Sequence, residues 1–397
     1  MKKGWTPLHK FKPKVIFCGL FLKHGVTPIH LAAWFGSLDI LKLLVRAGAE
    51  QKIENEDGWN ILHCAALNNH TEIVEYIVKD LIMKELDKED RYGQRPFCLA
   101  AKHGCVEMLE MLMDSSYDMA TMKPNERGDT PLHLAARNGH RDTVQLLLLS
   151  FDTRNEVNKV DNQSYTDCPD QDLQTPFLLA VKKGHLPVIY SLLGAGCNRD
   201  ATDKRSQTAM HIVAEMGKVE VAEMLLKAGI NLSLQDKQGK TALDVAARAG
   251  EVMIADMIIK AERYNVWQQA NPELNQSVRS DFPLTFKLDH RHETKQLHSI
   301  AWNLAYTLLK PGQWKQLAEH WGFTKQQVAA IEKQWTGQNS YQEHGNRMLL
   351  IWLHGVELAN ESPVKKLYQS LVLAGYQKAA DKIRMESDGV KKSCRIS

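Results

Sequence analysis

The sequence predicts an all-α protein in which a solenoid of helix-turn-helix repeats with β-hairpin tips precedes a six-helix bundle. Two observations lead to this fold class. A seven-residue motif recurs along the first two thirds of the chain at intervals of 33 to 45 residues. Beyond it, apolar residues follow the three-to-four spacing of separate amphipathic helices, without a repeat. We therefore expect two differently built regions in this chain of 397 residues.

Charge and hydropathy restrict the class of protein. The 50 Lys+Arg and 47 Asp+Glu residues leave a net charge of +3, which gives no overall attraction to nucleic acid or to an anionic membrane. No run approaches about 18 consecutive apolar residues, so no membrane span is predicted. The odd count of seven cysteines, without a Cys-x-x-Cys spacing, indicates free thiols in a reducing compartment. The cytoplasm is the expected location, with the nucleus left open.

The repeat opens with Thr-Pro-Ile-His-Leu-Ala-Ala at Thr27. Equivalent positions start six further units at Asn60, Arg95, Thr130, Thr175, Thr208 and Thr241. Threonine caps a helix and proline fits its first turn, while the alanine pair lets two helices approach closely. Glycines that follow the helices turn the chain. A single unit cannot bury its apolar face, so the units are predicted to stack into one solenoid.

These seven units resemble ankyrin repeats, and the resemblance covers residues 27–263. It implies helix pairs joined by hairpin tips and a role in binding proteins. We expect residues 1–26 to form an irregular cap or partial repeat, because Gly4-Trp5-Thr6-Pro7 opens like a repeat but continues differently. The longest interval, from Thr130 to Thr175, is expected to contain a polar loop at about residues 158–172.

The C-terminal third has a different pattern. Residues 264–292 lose the helical period and contain two prolines, which predicts a linker. Residues 293–386 contain six helical segments joined by short loops, which predicts an antiparallel bundle, and residues 387–397 form a tail. Trp314, Leu317 and Trp352 are expected in the core of this bundle.

The bundle resembles a death domain in the segment Trp314-x-x-Leu317-Ala318, in Gly322-Phe323 and in the run 348–352. The resemblance implies homotypic contacts, with other death domains or with a second copy, through charged surface patches. The expected surface positions are Lys315, Lys325, Lys333, Arg347, Lys365 and Lys366. Together, the two regions resemble the ankyrin repeat and death domain-containing protein 1 family.

No arrangement of residues predicts catalysis. Gly239-Lys240-Thr241 lacks the upstream glycine that a phosphate-binding loop requires. Cysteines and histidines recur at repeat positions rather than at metal-ligand spacings, so no zinc site is expected. No nucleophile with a nearby base stands outside the repeat pattern. We predict a non-enzymatic protein with neither cofactor nor metal.

Function is then expected in surfaces. In an ankyrin array, the residues just after the alanine pair face a groove. The predicted partner-binding residues are Trp34, Phe35, Trp59, Lys102, His103, Arg137, Lys182, Lys183 and Arg248. Cations in the central units, flanked by tryptophans, favour an acidic and partly apolar protein segment as the ligand.

The resulting hypothesis is an adaptor in intracellular signal transduction, whose array binds one protein while its bundle makes homotypic contacts. The alternative is an ankyrin-type inhibitor of a transcription factor, similar to the inhibitors of NF-kappa-B. An asparaginyl hydroxylase that acts on ankyrin tips is a further partner left open. The positions it would modify hold Lys52, Asp200 and Ser233 rather than Asn. Neither nucleic acid nor a membrane is expected as a partner.

Overall fold

The structure, a computed structural model, describes residues 23–119, 121–154, 166–271, 284–287, 292–335, 337–359 and 361–393. The expectations for residues 1–22, for residues 158–165 of the polar loop, for most of the 272–292 segment and for residues 394–397 of the tail therefore lie outside the described residues. In the described ranges the chain contains no strand. One isolated antiparallel bridge joins Gln235 and Thr241, so the repeat tips are hairpin turns.

Internal contacts divide the chain into two compact units, Met1–Lys204 and Arg205–Ser397. The first contains the repeats that begin at Thr27, Asn60, Arg95, Thr130 and Thr175. The second contains the repeats that begin at Thr208 and Thr241, together with the C-terminal helices.

Each repeat of the first unit contributes a helix pair. The helices are α1 (Pro28–Trp34), α2 (Leu38–Arg46), α3 (Ile61–Leu67), α4 (Thr71–Glu75, followed by a π turn over Tyr76–Asp80), α5 (Pro96–His103), α6 (Val106–Met113), α7 (Pro131–Asn138), α8 (Arg141–Arg154), α9 (Pro176–Lys183) and α10 (Leu186–Gly194). The first helices of successive repeats pack side by side, and α4, α6, α8 and α10 form a second layer behind them. The alanine pairs are buried in the first layer, which allows the close approach that the sequence predicted.

The second unit continues the pattern and then changes. Its repeats are α11 (Ala209–Met216) with α12 (Val219–Lys227), and α13 (Ala242–Ala249) with α14 (Val252–Ala270). The C-terminal helices are α15 (His292–Asn303, followed by a π turn over Leu304–Leu308), α16 (Gln313–His320), α17 (Lys325–Glu332), α18 (Ser340–Leu358), α19 (Pro363–Leu373) and α20 (Gln377–Ser393). Helix α14 extends seven residues into the segment expected to be a linker.

A histidine joins each of several repeats to the next. The His30 Nδ1 atom accepts the backbone N–H of Thr27 at 3.2 Å, and its Nε2 atom lies 2.9 Å from the carbonyl oxygen of Trp59 in the next repeat. Because a carbonyl can only accept, Nε2 carries the proton and the ring is neutral. His133 and His211 repeat this arrangement in their own units.

The hairpin tips are tied together by backbone hydrogen bonds. In the first unit, N–H groups of one tip donate to carbonyl oxygens of the preceding tip at 2.9–3.3 Å, in the pairs Glu56–His24, Arg91–Asp57, Glu126–Tyr92, Gln171–Arg127 and Lys204–Asp172. Within each tip, an Asx side chain such as Asn55 or Asp90 accepts the N–H groups two and four residues on. These bonds satisfy tip backbone that would otherwise depend on water.

A glycine at the end of each of three first helices makes room for a histidine of the next repeat. Gly139 has a φ of 82°, and an added Cβ would lie 2.7 Å from Nδ1 of His185. The same ring donates from Nε2 to the carbonyl oxygen of Arg137 at 3.2 Å. Gly36 with His70 and Gly104 with His140 show the same contact. Glycine is required at these positions because the histidine ring leaves no room for a Cβ atom and because φ is positive.

We expect Gly139→Ala to destabilise the first unit more than Gly196→Ala. Both positions have left-handed backbone, which costs an alanine about 1–2 kcal/mol. Gly196, at φ 76°, has no atom within 4 Å of an added Cβ, whereas Gly139 faces the His185 ring. Urea unfolding of the two variants checks this, with an extra loss of about 1–3 kcal/mol expected for Gly139→Ala from overpacking. Equal losses would show that the ring moves aside without cost.

Stability should fall as the pH drops below about 6.5. Burial lowers the pKa values of His30, His63 and His133 below their ordinary value. Below the histidine pKa of the unfolded chain, the unfolded chain therefore binds more protons than the folded chain. The free energy of unfolding is greatest above that pKa and declines below it. Urea midpoints measured from pH 7.5 to pH 5 test this. The Thr175 repeat has Leu178 at the position of His133, so His133→Leu is a natural substitution there, and it should reduce the dependence of the urea midpoint on pH. A midpoint that rises on acidification would contradict the neutral state of the buried histidines.

Candidate protein-binding surface

An aromatic cluster stands at the ends of the first helices in the first two repeats. The rings of Trp34 and Trp59 stack with centroids 5.9 Å apart and planes 19° from parallel. The Trp59 Nε1–H group donates to Asp90 at 3.0 Å, which fixes the ring, and Phe35 beside it is 70% exposed. The cluster is therefore a positioned apolar surface open to solvent, as expected of an interface anchor.

Lysines and one histidine follow at the equivalent positions of later repeats, and burial lowers the pKa of the His103 ring, so only the lysines carry charge at neutral pH. Lys102 and His103 end α5, and Lys182 and Lys183 end α9. Lys102 is half-buried and the other three are exposed. Among the residues that the structure describes, neither Lys102 nor Lys183 forms an ion pair. Their charges are available to a ligand.

Arg137 lies between these lysines along the chain but is already engaged. Its guanidinium donates to both carboxylate oxygens of Asp129, at 2.7 and 2.6 Å, and lies 3.6 Å from Asp170. Both carboxylates are buried. Arg137 neutralises this acidic pair, so its charge belongs to the interior of the repeat rather than to the open surface.

Two tip residues extend the apolar character of the surface, and the sequence analysis missed both. Tyr92 and Leu173 are exposed at the tips of their repeats. Leu173 has a φ of 56° at the position where other repeats have glycines such as Gly58 and Gly128. A leucine in left-handed backbone is strained, and such strain is concentrated at functional positions. An alignment of the tips to one another would have revealed this exception.

The tip beside Leu173 also presents charge. Lys204 donates to Asp172 at 2.9 Å, and this hydrogen bond lowers the pKa of the Asp172 carboxyl. Lys182 and Arg137 lower it further by their positive charge. Asp172 therefore stays ionised, and part of the local positive charge is balanced within the surface.

In the second unit, the predicted surface residues have varied positions. Arg248 is exposed, with Nη1 3.5 Å from Oε1 of Gln238. Lys325, Lys333 and Lys365 are exposed on the C-terminal helices. Lys315 pairs with Glu332 at 2.5 Å and Lys366 with Glu361 at 2.8 Å, so these two cations have partners at the surface.

Arg347 is the exception among these cations, because it is not at the surface. It is 5% exposed, and its guanidinium pairs with Asp256 of α14. Arg347 is the eighth residue of α18 and follows a polar stretch, so its sequence context resembles that of a solvated residue. Its burial depends on a carboxylate 91 residues away, which no local pattern reveals.

The expected core residues of the bundle are confirmed as buried. Trp314 and Leu317 of α16 are almost fully enclosed. Trp352 of α18 stacks on Trp321 with centroids 4.4 Å apart. The C-terminal region is therefore helical, with these three side chains in its interior.

Metal-ligating and thiol groups are the remaining candidates for chemistry among the described residues. None of their His, Cys, Asp and Glu side chains form a group of three that could hold a metal ion. Burial raises the pKa of the Cys64 thiol to about 12 and that of Cys98 to about 11, which disfavours the nucleophilic thiolate. No helix in the described ranges is both long and apolar enough to cross a membrane.

Arg137→Met should lower stability while Lys183→Met leaves it within about 0.5 kcal/mol. Arg137→Met leaves the buried carboxylates of Asp129 and Asp170 without their cationic partner. Loss of one partner of a buried ion pair lowers the free energy of unfolding by about 3–5 kcal/mol. Because the Arg137 side chain is 27% exposed, we expect the lower part of that range. Chemical denaturation measures both variants. Equal stability for the two would show that Arg137 is a surface cation after all.

The family model for ankyrin repeats matches three stretches of the chain, residues 16–82, 77–161 and 177–270, which together span more than half of it. The chain is 32% identical to the protein glp-1 of Caenorhabditis elegans over 169 residues, which are 40% of this chain and 12% of glp-1. It is 29% identical to rabankyrin-5 of Mus musculus over 174 residues, 44% of this chain and 14% of rabankyrin-5. The chain thus spans only a small part of these two relatives.

A shorter relative is covered more completely. The Notch-regulated ankyrin repeat-containing protein B of Danio rerio is 36% identical over 83 residues, which are 20% of this chain and 75% of that protein. Two solved ankyrin repeat domains are each 26% identical and cover 56% of this chain. The ankyrin repeat domain of Bcl-3, a member of the IkappaB family, gives a TM-score of 0.43, and 95% of its chain is covered. The ankyrin repeat domain of human ASB11 gives a TM-score of 0.45, and 92% of its chain is covered.

The family match confirms the all-helical repeat solenoid that the sequence predicted, and it is to a family of repeats rather than of enzymes. On the extent of this match and on the relative covered over three quarters of its length, the chain belongs to the ankyrin-repeat family.

Proposed function

We propose that the chain is a non-enzymatic adaptor that binds one protein through the repeats of its first unit and another through its C-terminal bundle. The observation that carries this proposal is the surface of the first unit. It presents the stacked Trp34–Trp59 pair together with lysines that have no ion-pair partner among the described residues. Aromatic anchors beside unsatisfied charge are typical of protein interfaces.

The ligand of this surface is an acidic segment with at least one apolar side chain. Carboxylates would pair with Lys102 and Lys183, and an apolar group would pack on Trp34, Trp59 and Phe35. Arg137 is left out of the recognition because Asp129 and Asp170 already neutralise it. The charged part of the surface is therefore narrower than the sequence alone suggests.

The second half of the proposal concerns helices α15–α20. Their resemblance to a death domain supports homotypic contacts with other death domains or with a second copy, and Lys325, Lys333 and Lys365 supply exposed charge for such contacts. A cytoplasmic signalling role, and membership of the ankyrin repeat and death domain-containing protein 1 family, form part of the same proposal.

The groove proposal is tested by reversing charge at Lys102 and Lys183 in the full chain. Proteins captured by the wild-type chain from cell extract are quantified by mass spectrometry, and the same capture is repeated with Lys102→Glu/Lys183→Glu and with Trp59→Ala. We expect each variant to lose about tenfold or more of the specific partners, since interface anchors each contribute 1 kcal/mol or more.

The matched control is Lys84→Glu/Lys123→Glu, which makes the same change in net charge at two exposed lysines outside the proposed surface, one that begins a 3₁₀ turn and one in a loop. It should retain the partners. Equal capture by both double variants would contradict the groove proposal. Capture of a DNA-binding transcription factor as the main partner, with no death-domain protein, would favour the inhibitor alternative over the adaptor.

A further inference from the structure

The last repeat differs from the others at the position that contacts the following unit. Where His30, His133 and His211 donate to a carbonyl of the next repeat, the last repeat has Asp244. Its carboxylate accepts the N–H of Thr241 at 3.1 Å and also the side-chain amide of Gln326 at 3.1 Å. The Gln326 amide also donates to the Thr241 hydroxyl oxygen, at 2.7 Å. Helix α17 of the bundle thus occupies the contact position of an eighth repeat.

A buried ion pair fastens the next helix of the bundle. The Arg347 Nε atom of α18 lies 3.1 and 3.2 Å from the two carboxylate oxygens of Asp256, on α14, and Nη2 donates to the same carboxylate. The remaining nitrogen, Nη1, donates to the carbonyl oxygen of Ile331 within the bundle at 3.3 Å. The arginine therefore links α14 to both α17 and α18.

Further polar contacts extend along α14. Arg263 lies over the ring of Phe323 at 4.1 Å and donates to the carbonyl oxygen of Trp321 at 3.1 Å. The amide of Gln327 donates to Glu262 at 2.8 Å. Amides, charged groups and aromatic rings thus all take part in the contacts on this side of the bundle.

A short strap, residues 285–287, adds a second attachment. The Phe286 side chain is fully buried and lies edge-on to Tyr264, with centroids 6.0 Å apart. Its backbone N–H donates to the Glu223 carboxylate and its carbonyl accepts from Nζ of Lys260 at 3.3 Å. His354 of α18 donates to the Thr285 carbonyl at 2.7 Å. The strap joins both repeats of this unit to α18.

We propose that these contacts form a latch: the last repeat holds the face of α17 and α18 in cis, and release of the latch exposes that face to a partner bundle. This inference rests on the proposed homotypic function of the bundle. Interfaces between packed parts of one chain often resemble transient interfaces, and this one contains an ion pair and several hydrogen bonds. A buried ion pair adds specificity while adding little net stability, because both charges lose their hydration.

The latch is tested in the full chain with two variants that act at its separate attachments, Asp256→Asn and Phe286→Ala. Neither residue belongs to the bundle, so its own core is left intact. Glu332→Gln, which breaks the exposed Lys315–Glu332 pair on the bundle, is the matched control. Amide hydrogen exchange by mass spectrometry reports on exposure of each helix, and light scattering over a concentration series reports on self-association.

We expect both latch variants to exchange about tenfold or more faster in α17 and α18, with α19 and α20 unchanged and the control like wild type. Unchanged exchange in α17 would overturn the latch. Faster exchange throughout α15–α20 would overturn it as well, since the last repeat would then be required for the bundle to fold. If α17 and α18 become exposed but the variants neither self-associate nor capture a partner bundle, the result would support the latch and refute the homotypic function.

Discussion

The whole structure depends on hydrogen bonds between neighbouring repeats. Each repeat has polar groups that it cannot pair by itself and that its neighbour pairs. A histidine N–H meets a carbonyl of the next repeat, and the backbone of each tip bonds to the tip before it. An unpaired buried polar group costs free energy comparable to a lost hydrogen bond. Every repeat therefore needs a neighbour of the right shape, and the array needs a defined end. The C-terminal helices supply that end, with Gln326 in place of another repeat's backbone.

Arginines and lysines at the predicted surface positions differ in how they are paired. Arg137 and Arg347 are held by buried carboxylates and contribute to packing and docking, whereas Lys102 and Lys183 remain available to solvent and ligand. The difference follows from side-chain chemistry, because a guanidinium matches a carboxylate with two parallel hydrogen bonds and loses less hydration on burial than an ammonium. Arg137 and Arg347 therefore contribute to the packing of their own units.

The repeat motif was sufficient to predict the helix starts, the recurrence of histidine at one repeat position and the close approach at the alanine pairs, because these features depend on residues close in sequence. Trp314, Leu317 and Trp352 were predictable for the same reason. The pairing of Arg347 with Asp256 was not, since it joins helices 91 residues apart and follows from docking rather than from local pattern. The engagement of Arg137 could have been suspected, because Asp129 lies only eight residues away, but a groove position alone does not reveal it. The candidate surface was thus predicted in composition but not in which charges are free.

Asp244, which stands at the histidine position of the last repeat, affects where further repeats can be added to the array. A unit with the Thr-x-x-His pattern can donate to a carbonyl of the unit after it, as His211 does to Lys240, and such units can be duplicated ahead of Thr241. The Asp244 carboxylate cannot donate, so it would face the carbonyl of an appended unit unfavourably. Changes in length over evolution should therefore accumulate in the interior of the array, while its final repeat and the bundle are inherited together as one piece.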